Sequence, residues 1–157
     1  MTAKRDSHFS EEKNAEFVEF CRSTGLRRSE ITTLRGDQLI ERDGEYYIEV
    51  VGKGGRFRII TICGDVELVV RKMQEAGTGK VWEKVPSNAD IHDFRAQYAS
   101  RIYSSYARPI EKIPRKERYI CRKDKAGIVY DKAAMLEASK ALGHNRISVV
   151  GEHYLRF

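Results

Sequence analysis

The sequence predicts a mixed α+β domain, mostly helical, with a small antiparallel β-sheet or hairpin. Two observations carry that class. Apolar residues recur at helical spacing along most of the chain, and glycines punctuate the periodic stretches. Residues 46–51 and 57–62 break the pattern: they are rich in β-branched and aromatic residues, and Gly52-Lys53-Gly54-Gly55 joins them as a hairpin turn. With 157 residues the chain is long enough for one domain with a sizeable core.

The elements follow in order. Residues 1–9 are polar and read as a flexible N-terminal segment. Ser10, followed by Glu11 and Glu12, reads as a helix N-cap with acids in the first turn. Phe17, Val18 and Phe20 give that helix its apolar face, and Gly25 stops it. A second helix covers residues 28–34, with Ile31 and Leu34 facing inward. After the hairpin, Asp65 opens a helix in which Val66, Val69, Val70 and Met73 follow the i, i+3, i+4, i+7 pattern. Pro86-Ser87-Asn88 begins the next, with Ile91, Phe94, Tyr98 and Ile102 inside. A second small hairpin spans 118–122 and 127–130. The helix from Asp131 carries Ala134, Leu136, Ala138 and Leu142, and Ile147, Val150 and Tyr154 mark a terminal helix.

Charge and cysteine usage narrow the class. The 29 Lys and Arg outnumber the 23 Asp and Glu, for a net charge of +6 and a pI near 9.3. Between Arg101 and Lys125, nine basic residues face three acids. Such a balance favours a polyanionic partner, and it nominates Arg101, Arg108, Arg115, Lys116, Arg118, Arg122, Lys123 and Lys125 as a surface tracking a nucleic-acid backbone. Cys21, Cys63 and Cys121 form no C-x-x-C pair and read as reduced thiols. No apolar run is long enough for a membrane span, and no signal-type start is present. The expectation is a soluble cytoplasmic protein with no membrane association.

Four polar groupings remain, each with a plain reading beside it. Thr24-Gly25-Leu26-Arg27-Arg28-Ser29-Glu30 sets an arginine at a sharp helix junction, which is also what a C-cap glycine and a surface arginine look like. Gly52-Lys53-Gly54-Gly55 is neither a P-loop nor a dinucleotide fingerprint, and a flexible tip with a solvated lysine would look the same. His92-Asp93-Phe94-Arg95 puts His92 and Arg95 on one helix face, a spacing that chance supplies often. Leu142-Gly143-His144 leads to Tyr154, which alone would pass for a packing residue.

Taken together and in this order, the four frames resemble those of the tyrosine recombinase, or phage-type integrase, family. The Tyr119-x-Cys121-Arg122-x-Asp124 segment is most similar to integrases of conjugative transposons and related mobile elements. The likeness covers residues 10–155, nearly the whole chain. It implies the recombinase catalytic-domain fold over residues 10–157, without the N-terminal core-binding domain that usually closes around DNA. It also implies site-specific cutting and rejoining of DNA strands through a 3′-phosphotyrosyl intermediate, with no metal and no high-energy cofactor. Double-stranded DNA at element ends and target sites is the implied partner, and a tetramer of the full-length protein the implied assembly. The implied setting is a bacterial nucleoid.

The implied catalytic set is Arg27, Lys53, His92, Arg95, His144 and Tyr154, with Glu30 supporting the first arginine. Chemistry asks for such a set. Cleaving a phosphodiester without metal needs a nucleophile, positive charge on the non-bridging oxygens and a proton for the leaving 5′-oxygen. The tyrosine supplies the nucleophile and must lose its proton to a nearby base. Guanidinium forks suit Arg27 and Arg95 to phosphate; His144 adds a donor. His92 suits the base, and Lys53 on a glycine-flanked tip suits the acid.

Two features depart from the family pattern. His144 and Tyr154 are ten positions apart, one more than the commonest family spacing, and position 153 is itself a histidine, read as a surface residue. After Tyr154 come Leu155, Arg156 and Phe157, fewer than the tail by which many relatives dock onto a neighbour. Two other classes stay open on sequence alone: a DNA-binding fragment without activity, and an unrelated basic RNA-binding module. A type IB topoisomerase shares the chemistry but not the integrase frames.

Overall fold

The structure is a computed structural model that describes residues 9–121, 125–143, 149–151 and 154–155, and the backbone alone of Lys53. The N-terminal segment 1–8, together with Arg122, Lys123, His144 and His153, lies outside the described residues.

The chain is mixed α+β, with more helix than strand and small antiparallel sheets. Helix α1 spans Ala15–Thr24 and buries Phe17, Val18 and Phe20, as its apolar face predicts. The Ser10 hydroxyl does accept the Lys13 N–H at 3.2 Å, but residues 11–14 form a turn and the helix proper starts after it. Helix α2 (Arg28–Thr33) buries Ile31. Strands β1 (Leu39–Arg42), β2 (Glu45–Val51) and β3 (Phe57–Thr61) form an antiparallel meander in the order β1-β2-β3. Sequence reasoning found β2 and β3 and missed β1, which joins β2 through Asp43 and Gly44, both at positive φ (52° and 82°). Lys53–Gly55 forms a short 3-10 turn at the β2–β3 tip.

Helix α3 (Val66–Ala76) is capped as predicted, Asp65 accepting the Leu68 N–H at 3.1 Å. Helix α4 (Ile91–Tyr106) starts later than the Pro86 signal, because the Asp90 carboxylate, accepting from the Asp93 N–H at 3.1 Å, sets the cap. Strands β4 (Arg118–Ile120) and β5 (Val129–Asp131) make the second hairpin. Asp131 then caps helix α5 (Lys132–Leu142) through the Ala133 N–H at 3.0 Å. Its inner face is Ala134, Met135, Ala138 and Leu142; Leu136, expected inside, is exposed because it lies on the opposite side of the turn from Ala134 and Ala138. Residues 149–151 are helical and Tyr154 follows in a turn.

Helix α4 is the spine. Its Phe94, Tyr98 and Ile102 are buried between α1 and α5, and the β-meander closes the remaining side with Ile48 and Ile60. Burial of this apolar set dominates the folding free energy. Cys21 and Cys121 are buried and Cys63 half-buried, all as free thiols. No helix among the described residues is long and apolar enough to cross a membrane.

Candidate active site

The site grows from the junction after α1. Gly25 takes the left-handed conformation (φ 64°), and a Cβ there would sit 2.2 Å from the Tyr98 ring, so glycine alone fits. The chain can then turn sharply, bury Leu26 and start α2 at Arg27. The Arg27 N–H donates to Glu30 Oε1 at 2.8 Å, which is the N3 carboxylate reaching back to the first free amide of the helix. The Arg27 side chain lies 3.6 Å from Glu30 Oε2 and extends to the Gly143 carbonyl, 3.5 Å away.

Glu30 is almost fully buried, and the residue that holds it was not predicted. Arg58 of β3 donates Nη1 to Oε2 at 2.8 Å and Nη2 to Oε1 at 3.1 Å, a bidentate fork. The signal was present in strand alternation. Arg58 shares the inward face with Ile60, while Phe57, Ile59 and Thr61 face solvent. An arginine on the core side of a strand demands an acid there, and Glu30 is that acid.

The two glycine turns close on these arginines. A Cβ on Gly52 would lie 3.6 Å from Arg58 Nη1 and 3.9 Å from Arg27 Nη1, so the turn bearing Lys53 begins beside both guanidinium groups. Gly143, left-handed at φ 80°, ends α5. A Cβ there would lie 2.9 Å from Arg58 Nη1, and His144 is the next residue.

Arg95 occupies the centre. It is 4 % exposed, with Nη1 donating to the Gly25 carbonyl at 2.7 Å and Nη2 to the Leu142 carbonyl at 3.0 Å. Its guanidinium carbon stands 5.7 Å from the Tyr154 ring centroid. Burial pushes the Arg95 pKa down, nearby Arg27 and Arg58 push it the same way, and Tyr154 opposes them. One turn earlier on α4, the His92 ring lies 4.7 Å from the Tyr154 ring, tilted by 37°. Tyr154 itself is buried, with its N–H donating to the Val150 carbonyl at 2.9 Å.

Arg27, Glu30, His92, Arg95 and Tyr154 are therefore brought together from three separated segments. The chemistry open to such an arrangement is that of an anion cradle beside a phenol and an imidazole. Among the described residues, no group of three or more His, Cys, Asp or Glu is gathered that could hold a metal ion.

The basic segment 101–125 is more engaged than its charge count implied. Arg101 forks onto Glu19 at 2.8 and 3.2 Å, and Arg108 binds Asp131 at 2.9 Å and Glu117 at 3.1 Å. Glu19 and Asp131 lie outside the counted stretch, so a local count could not see them. Arg118 donates to the Ile113 carbonyl at 2.9 Å, and Lys125 reaches carbonyls of the terminal segment. Arg115 and Lys116 remain exposed on a 3-10 turn (Arg115–Glu117). Set against known proteins, the chain matches no family model, no curated protein and no solved structure.

Proposed function

We propose that this chain is the catalytic domain of a site-specific DNA recombinase of the tyrosine type, with the fold of that family. The observation that carries the reading is the convergence of Arg27, His92, Arg95 and Tyr154 on one site, with Lys53 and His144 each one residue from a glycine packed against its arginines. Arg95 and His92 both lie against the Tyr154 ring, and Arg27 is a charge neighbour of Arg95, so the cationic groups and the phenol share one locality.

In this reading a DNA phosphate enters between Arg27 and Arg95, whose N–H groups and that of His144 bind its non-bridging oxygens. The Tyr154 oxygen attacks phosphorus and its proton passes to His92. The bond from phosphorus to the 5′-oxygen breaks, and Lys53 protonates that oxygen as it leaves. The product is a 3′-phosphotyrosyl link and a free 5′-hydroxyl. Attack by the 5′-hydroxyl of another strand runs the same steps backwards and rejoins the DNA. Glu30 takes no part in proton transfer; it orients Arg27. Double-stranded DNA is the partner, and protomers of the full-length protein assemble on it.

The test uses nicked duplex DNA with a randomised core, whose short cleaved end diffuses away. Denaturing electrophoresis should reveal protein joined to DNA, and peptide mapping should place the link on Tyr154. Tyr154→Phe keeps the ring and loses the attacking atom, and a positioned nucleophile is worth roughly 7–11 kcal/mol, so the adduct should vanish. An adduct that survives in Tyr154→Phe, or maps to Tyr130 or Tyr119, refutes the mechanism. DNA retention with no adduct marks a binding fragment instead.

A further inference from the structure

The turn that carries Tyr154 is held from outside the arginine cluster. Lys125 precedes β5 in the second hairpin, and its Nζ donates to the Gly151 carbonyl at 3.1 Å and to the Leu155 carbonyl. Those two carbonyls bracket Tyr154 in sequence. Both Tyr154 N–H and Leu155 N–H return to the Val150 carbonyl, at 2.9 and 3.0 Å, so the four groups form one closed turn. An ammonium has three donors and no acceptor, and a cation at the carbonyl end of a helix is favourably placed.

A separate observation shows that the seat is shaped for this turn. A Cβ on Gly151 would lie 2.6 Å from Met135 Cε and 3.1 Å from the Tyr119 ring, so the terminal turn presses directly on α5 and β4. Val150 and Leu155 are fully buried beside it. The second hairpin thus contributes Tyr119 and Lys125 to a socket whose occupant is the Tyr154 segment. On its other side Tyr154 meets His92 and Arg95.

We propose that Lys125 is a positioning residue for the Tyr154 hydroxyl, acting as a latch that holds the terminal turn against the site of its own chain. This rests on the recombinase reading for its catalytic consequence, though the latch itself does not. Its charge is directed to main-chain carbonyls and not to a DNA phosphate. Releasing it would let the phenol drift, and a displacement near 1 Å in a reacting group can cost about 100-fold in rate.

The experiment compares the wild-type chain with Lys125→Met, which keeps the stem, and Lys125→Arg, which keeps the donors. Amide hydrogen exchange of Tyr154 and Leu155 is read without DNA, with exchange in α4 as the control for folding. Cleavage and binding are read on the nicked randomised duplex. In Lys125→Met the two amides should exchange about tenfold faster or more, and cleavage at saturating DNA should fall by about 100-fold. Affinity and its salt slope should stay unchanged, and Lys125→Arg should recover most of both losses. Unchanged exchange in Lys125→Met overturns the latch. So does faster exchange with an unaltered cleavage rate, or a salt slope reduced by about 0.9, which is the mark of a lost phosphate contact. If the wild-type chain forms no adduct, the recombinase reading fails, and the exchange data alone decide the latch.

Discussion

Removing the Glu30 carboxylate should destabilise the fold far more than a surface charge would. Its two oxygens accept the Arg27 N–H at 2.8 Å and both ends of the Arg58 fork at 2.8 and 3.1 Å. The Arg58 side chain is 10 % exposed, and its Nε is buried with no partner, so it has little access to water if Glu30 is lost. Breaking one side of a buried pair costs about 3–5 kcal/mol. Arg58 lies towards the low end of that range because it is not wholly enclosed. The lost N-terminal bond of α2 adds roughly 1 kcal/mol, so Glu30→Ala should cost about 4 kcal/mol. Glu30→Gln keeps one acceptor and the shape, and should cost about half as much. Arg58→Met removes the stranded charge, so Glu30→Ala/Arg58→Met should be more stable than Glu30→Ala alone. Denaturant unfolding with unchanged m-values reads all four proteins. A loss under about 1 kcal/mol for Glu30→Ala, or single effects that add to within about 0.5 kcal/mol in the double variant, would refute the reasoning.

Two further outcomes follow from other parts of the molecule. Lys53→Ala should slow cleavage with little change in DNA affinity, and a substrate whose leaving 5′-oxygen is replaced by sulphur should restore most of the rate; equal impairment on both substrates removes Lys53 as the acid. The Arg108 guanidinium holds the Asp131 carboxyl down to about 2 from its ordinary 3.8. That carboxylate therefore contributes stability in full above the unfolded value and loses it as pH falls through about 2. Thermal unfolding should show Asp131→Asn less stable near neutrality by about 1 kcal/mol, since the partly exposed Arg108 is screened by water, with the gap to wild type closing between about pH 4 and 2; a gap independent of pH would show that the pairing with Arg108 contributes nothing.

The sequence was most legible where backbone geometry leaves one solution. Gly25 and Gly143 mark helix ends because only glycine fits their left-handed turns against Tyr98 and Arg58. The inner face of α4 was readable because Ile91, Phe94, Tyr98 and Ile102 keep helical period over its whole length. Strand β1 was passed over because Leu39-Ile40-Glu41-Arg42 is short and half-polar, although Asp43-Gly44 is a strong hairpin dipeptide. Arg58 was missed because a strand arginine looks solvated until its neighbours are placed on faces. In the basic stretch, charge was counted along the chain, whereas ion pairs form through space: Arg101 finds Glu19 across 82 residues.

The manner in which Arg95 is anchored sets the electrical character of the site. Arg58 is neutralised locally by a carboxylate, whereas Arg95 is gripped at Gly25 and Leu142 by two uncharged oxygens at the ends of α1 and α5. Those oxygens carry only the partial negative charge of a helix terminus. The guanidinium is thereby immobilised without being discharged, in a region poorly screened by water. A fixed cation held in this way favours an anion over a neutral group of the same size, because no carboxylate has to be displaced from Arg95 before the anion can approach.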